Sequence, residues 1–119
     1  MAAVLIVDDT LFMRASIKEM LGENGHSVAG EASNGKEAVD MYSEVNPDVV
    51  LMDITMPDMD GLEALRLIKE KDPKAKVIMC TAMGQQAIVA KAVELGAEQF
   101  IVKPFQAERL MAAIENVCR

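Results

Sequence analysis

The sequence predicts an α/β fold in which five strands and five helices alternate as one doubly wound parallel sheet. Three observations predict it. Five short apolar runs are spaced along the 119 residues, and most are continuous rather than alternating, which suits strands covered on both faces. The stretches between them carry apolar residues at helical spacing. The two kinds of segment alternate strictly, and that order implies parallel strands joined by helical crossovers. A chain of this length fits one domain over residues 1–119.

The elements follow in order. The first run, Val4–Val7, ends at Asp8-Asp9. Met13, Ile17, Met20 and Leu21 then recur at helical spacing, with Gly22 and Gly25 as stop signals. Val28–Gly30 marks the second strand. Ala38, Val39 and Tyr42 mark the second helix, entered through Ser33-Asn34-Gly35 and ended before Pro47. The third run, Val49–Met52, lies in DVVLMDITMPDMDG and stops at Asp53. Leu62, Leu65 and Ile68 predict the third helix, where Asp60 and Glu63 have capping-box spacing and Pro73 lies beyond the end. Val77–Cys80 runs into Thr81-Ala82. Ile88, Ala92, Val93 and Leu95 predict the fourth helix, closed by Gly96. Phe100–Val102 ends at Lys103-Pro104, and Leu110, Ile114 and Val117 mark the last helix.

Composition narrows the function classes. Hydrophobic residues make up 51% but aromatic ones only 3%, so aliphatic side chains and ten methionines must fill the core. Twelve basic against nineteen acidic residues give a net charge of −7. That argues against a nucleic-acid partner, which needs a basic face, and against an anionic membrane surface. No apolar run reaches bilayer length, and MAAVLIVDD lacks a basic segment and a cleavage site, so a cytoplasmic location is expected. Cys80 and Cys118 lack metal-ligand spacing. Cys80 is expected at one edge of the sheet and Cys118 at the other, too far apart for a disulfide. His26, after Gly25, reads as a surface turn residue.

All strands of a parallel sheet end on one edge, and ligands bind there where the strand order reverses. Asp8, Asp9, Asp53, Thr81 and Lys103 are therefore expected to converge. Helix capping could account for Asp9 or Thr10. It does not account for Asp53, because Asp60 is the expected cap of the next helix, nor for Lys103, because a cation is unfavourable near a helix N-terminus. Two carboxylates about 4 Å apart repel by roughly 4 kcal/mol at an effective dielectric near 20. Three acids and one lysine leave a double negative charge, which a divalent cation neutralises. All-oxygen donors fit Mg²⁺ or Mn²⁺ rather than Zn²⁺, and three carboxylates leave coordination positions open to a phosphoryl oxygen. That pattern points to phosphoryl chemistry. Asp53 is the candidate nucleophile and Asp8 and Asp9 the candidate metal ligands. Lys103 would neutralise one phosphoryl oxygen and Thr81 hydrogen-bond another, while Ala82 leaves space and a backbone N–H.

Asp8-Asp9, Asp53, Thr81 and Lys103-Pro104-Phe105, on a five-fold βα repeat, resemble the bacterial two-component receiver domain of response regulators. The resemblance covers essentially the whole chain. The segments DDTLFMR, MDITMPDMDG, AMGQQAIV and IVKPFQ are similar to the chemotaxis branch, whose members signal to the flagellar motor. The resemblance implies a flavodoxin-like strand order of 2-1-3-4-5, of which flavodoxin and the chemotaxis receiver are themselves standing examples.

It also implies a mechanism. A histidine kinase would supply the phosphoryl group to Asp53, with Mg²⁺ held by Asp8 or Asp9, Asp53 and the backbone carbonyl of Thr55. Thr81 would move toward the phosphoryl group and Phe100 would turn inward. The face from Gln85 to Arg119 would then change affinity for a motor-switch protein, a phosphatase, or both. One domain consumes the whole chain, so no output domain is expected, and a monomer is expected; the resemblance further implies a cis Lys103-Pro104 peptide, and self-catalysed transfer and autodephosphorylation rather than turnover. Thr55 and Met83 stand at the two positions beside the phosphate that vary within the family, and neither can readily orient a hydrolytic water. Phe100 lacks a tyrosine hydroxyl, so a switch role there rests on ring occupancy, with a plain core residue as the alternative. A phosphorelay intermediate would share every site residue. A Mg²⁺-dependent phosphatase or mutase fits less well, because such enzymes carry the nucleophile after the first strand and a second acid two residues on, where this chain has Thr55. In a flavin carrier, Asp8-Asp9 would repel the flavin phosphate.

Overall fold

The computed structural model describes residues 1–56, 59–82 and 86–118. Its elements are β1 (Ala3–Val7), α1 (Leu11–Glu23), β2 (Ser27–Ala32), α2 (Gly35–Val45), β3 (Val49–Asp53), α3 (Gly61–Lys71), β4 (Val77–Thr81), α4 (Gln86–Glu94), β5 (Gln99–Val102) and α5 (Ala107–Val117). The strands form one parallel sheet in the order β2-β1-β3-β4-β5. The expected doubly wound architecture is thus observed.

Successive residues of a strand face opposite ways, and both faces here are apolar. Leu5, Val7, Val50, Met52, Val77 and Met79 pack on one side, beneath Ala38, Tyr42, Leu65, Ile68 and Ala92 of α2, α3 and α4. Val4, Ile6, Val49, Leu51, Ile78 and Cys80 pack on the other, beneath Ile17 and Leu21 of α1 and Leu110 and Ile114 of α5. Double coverage explains why β1, β3 and β4 read as unbroken apolar runs. From β1 the chain leads outward to β2; from β3 it leads the other way to β4. The winding therefore reverses between β1 and β3, and a crevice opens between their C-terminal ends.

Helix starts agree with their sequence signals in part. Asn34 and Asp60 cap α2 and α3, accepting from the N–H groups of Glu37 and Glu63 at 2.9 Å. The Asp60–Glu63 spacing gives only half a capping box, because Glu63 turns outward to Arg66. Thr10 sits at the N-cap of α1 but its side chain does not cap the helix.

Several expectations need correction. β2 is longer than Val28–Gly30, since an edge strand is half open to water and carries polar residues that blur its apolar signal. Gly22 lies inside α1; Gly25, with φ of +80°, makes the turn that follows. Val93 is 63% exposed, and Ala92 supplies the buried contact of α4 instead. His26 follows the turn at Gly25 as expected and is half-buried there, its Nδ1 accepting the Ala2 N–H at 3.0 Å. Both cysteines are free, as expected. Among the described residues no helix is long and apolar enough to cross a membrane.

Candidate functional site

β1 and β3 deliver the acids to the crevice. Asp8 follows the last residue of β1 and Asp53 ends β3; both are buried, whereas Asp9 is exposed. One carboxylate oxygen from each of Asp8, Asp9 and Asp53 lies within 4.8 Å of the others. The chain after Asp53 then folds back sharply. The Gly61 N–H donates to the Ile54 carbonyl at 2.8 Å. A Cβ at Gly61 would lie 2.1 Å from the Asp53 carbonyl oxygen, so only glycine fits. This close return keeps Asp53 at the rim instead of continuing the strand.

Lys103 enters from β5. Its N–H donates to the Thr81 carbonyl at 2.7 Å, and the peptide to Pro104 is cis. Its ammonium donates to Asp8 Oδ2 at 2.7 Å and stands 3.6 Å from Asp53 Oδ2. Asp8 Oδ1 accepts both the N–H and the hydroxyl of Thr10 at 2.9 Å. Both Asp8 oxygens are therefore engaged, one by a local turn and one by Lys103.

The charges respond to this crowding. Burial pushes the Asp53 carboxyl up to about 6; Lys103 and the Ile54 N–H pull it down, while Asp8 and Asp9 push it further up. Burial works against the Lys103 ammonium, but its hydrogen bond to Asp8 and the charges of Asp53 and Asp8 hold it above its ordinary value. Cys80, beside Asp53 in the sheet register, is pushed up to about 12 by burial, which leaves an inert thiol.

The remaining predicted residues divide. Thr81 ends β4, buried beside β5. Ala82 follows it, exposed. Thr55 is exposed two residues past Asp53, and no contact of its carbonyl is seen among the described residues. Phe100 lies back along β5 opposite Met79, partly buried against the core, and is not part of the acid cluster. Met83 lies outside the described residues, as do Gln85 and Arg119 at the ends of the predicted partner face. Sequence reasoning missed Thr10 as a partner of Asp8, and missed Arg14, which donates to the Asp8 carbonyl. An Asp-x-Thr turn could have suggested the first; nothing local signals the second.

The donor set is all oxygen and its charge is only partly met by Lys103. It fits a hard divalent cation such as Mg²⁺, which accepts few carboxylates and keeps waters.

Known proteins point the same way. The family described as the response regulator receiver domain matches residues 4–115. The chain is 56% identical to a chemotaxis protein CheY of Listeria monocytogenes over 119 residues, all of both chains. It is 53% identical to that of Thermotoga maritima, covering 98% of this chain and 97% of the other. Among solved structures, the CheX-CheY-BeF3-Mg complex of Borrelia burgdorferi is similar with a TM-score of 0.93 and 38% identity, covering 97% of this chain and 87% of that one.

Proposed function

The chain belongs to the response regulator receiver domain family, of the chemotaxis CheY type, and on that premise we propose that it accepts a phosphoryl group from a histidine kinase on Asp53 and so changes its affinity for a partner protein. One observation carries the reading. A buried carboxyl raised to about 6 stands within 4.8 Å of two further acids and 3.6 Å from a lysine, at the reversal of the sheet.

Asp53 must be ionised to attack, and its raised value leaves most of it so at neutral pH. Its oxygen forms a P–O bond as the P–N bond to the donor histidine breaks, and the imidazole takes the leaving electron pair. Asp9, Asp53 and the Thr55 carbonyl, with Asp8 beside them, are the residues that would hold Mg²⁺; Mn²⁺ would satisfy the same donors. When bound, the ion supplies charge neutralisation for the phosphoryl oxygens. Lys103 exchanges part of its hold on Asp8 for a phosphoryl oxygen, and the Thr81 hydroxyl donates to another. Phe100, half-buried at the other end of β5, is the residue whose ring would follow. The face from Gln85 to Arg119 is the proposed meeting surface for a motor-switch protein or a phosphatase. The Borrelia burgdorferi complex, in which a similar chain is paired with CheX, supports a partner-binding role.

The test uses a kinase carrying phosphohistidine. Wild type should take up the phosphoryl group and Asp53→Asn should not. The phosphorylated form should then bind a motor-switch peptide more tightly. Unchanged affinity would assign the chain to a relay instead.

A further inference from the structure

Asp8 is held at every polar atom. Its N–H donates to the Ala32 carbonyl at 3.1 Å, which continues the pairing of β1 with β2. Oδ1 accepts from Thr10 and Oδ2 from Lys103. Its carbonyl accepts from Nη1 of Arg14. The last bond is the one that sheet pairing, the local turn and the charge of the site do not explain. A guanidinium beside a site suited to a divalent cation is electrostatically unfavourable, so some other benefit must offset it.

Arg14 reaches two ways from α1. Nη1 goes to Asp8, and Nε goes to Glu31 Oε1 of β2 at 3.1 Å. Glu31 also takes Lys18 Nζ at 3.0 Å. The Arg14 side chain is only 14% exposed, so this fork is held in one geometry. The peptide plane supplies the consequence. The Asp8 carbonyl and the Asp9 nitrogen share one rigid plane, so fixing the oxygen fixes the direction in which Asp9 leaves. Among the described residues no hydrogen bond or ion pair holds the exposed Asp9 carboxylate. Its aim must come from the backbone.

We propose that Arg14, anchored by Glu31, is a positioning residue that fixes the Asp8–Asp9 peptide and thereby aims the Asp9 carboxylate at the divalent cation. This rests on the reading of Asp8, Asp9 and Asp53 as the metal site. Positioning and simple charge predict opposite signs. Removing a nearby positive charge should tighten Mg²⁺ binding if Arg14 acts only through space. Losing the brace should weaken it, by on the order of tenfold, as for other residues that orient metal ligands.

The experiment is Mg²⁺ titration by calorimetry of wild type, Arg14→Met and Arg14→Lys, each with a thermal melt in chelator. We expect the methionine variant to bind on the order of tenfold more weakly. The lysine variant, which keeps the charge but cannot bridge carbonyl and carboxylate, should fall between it and wild type. Equal or tighter binding by Arg14→Met overturns the proposal. Should that variant fail to fold, Arg14→Lys decides alone: weaker binding at unchanged charge supports the brace, and wild-type affinity overturns it. Absence of any Mg²⁺ binding by wild type would instead defeat the metal site itself, and that arm separates the two failures.

Discussion

Lys103 is bonded to Asp8, its ammonium 2.7 Å from Oδ2, although 95 residues of chain separate them. Asp53, at 3.6 Å, receives the weaker share. The lysine thus stands beside the cluster as a resident counter-ion, already committed to the acid that follows β1.

Removing that counter-ion should expose the cost of the cluster. In Lys103→Met the buried Asp8 Oδ2 loses its partner and Asp53 loses its main favourable charge. Breaking a buried pair from one side costs about 3 kcal/mol. Denaturant unfolding in chelator should show that loss, and added Mg²⁺ should restore part of it. Unchanged stability in chelator would contradict the assignment of Lys103 as counter-ion.

Asp53 makes stability depend on pH. Its folded value of about 6 lies above the ordinary 3.8. A carboxyl raised on folding contributes stability that is complete below the unfolded value and lost as pH rises through the folded one. At about 1.4 kcal/mol per pH unit the difference is about 3 kcal/mol. In chelator, Asp53→Asn should therefore be more stable than wild type above about pH 6, with the gap closing toward pH 4. Parallel pH profiles of the two proteins would count against a buried, charge-crowded Asp53.

Gly61 is where backbone meets backbone. A Cβ there would sit 2.1 Å from the Asp53 carbonyl oxygen. Gly61→Ala should cost on the order of 3 kcal/mol through overpacking, with the Asp53 end of β3 displaced. Thermal melts and backbone amide shifts at Asp53 and Ile54 would register it; wild-type values for both would contradict the tight return.

Tyr42 offers a check remote from the site. Its hydroxyl donates to Asp72 Oδ2 at 2.8 Å, and burial, then that bond, push the phenol up to about 12. The chain has one tyrosine and no tryptophan, so phenolate absorbance reports it alone. Titration should give a value near 12, and Tyr42→Phe should cost about 1 kcal/mol. An ordinary phenol value near 10 would argue against the contact.

The fold was legible because its periodicity is loud. Val49–Met52 and Val77–Cys80 are unbroken apolar runs, as a sheet covered on both faces requires. The apolar signal of β2 is shorter than the strand, since its outer edge meets water and Ser27 and Glu31 interrupt the pattern. That Asp8, Asp9, Asp53 and Lys103 share one edge followed from parallel strands ending together, and the strand order that makes β1 and β3 neighbours came with the family resemblance. The contacts that orient those residues did not. Glu31 and Arg14 stand seventeen residues apart on different elements, and His26 meets Ala2 twenty-four residues away. Such pairings depend on how separate elements meet in the folded chain, which sequence spacing does not encode. Phe100 lies apart from the acids, so a switch role there would rest on the family pattern and not on contact with the site.

The most direct measurement is site-resolved mass spectrometry after incubation with acetyl phosphate. One phosphoryl group should appear, on the peptide carrying Asp53, formed with Mg²⁺ present and absent with chelator or in Asp53→Asn. A label that persists on Asp53→Asn, or that forms equally well without a divalent cation, would contradict it.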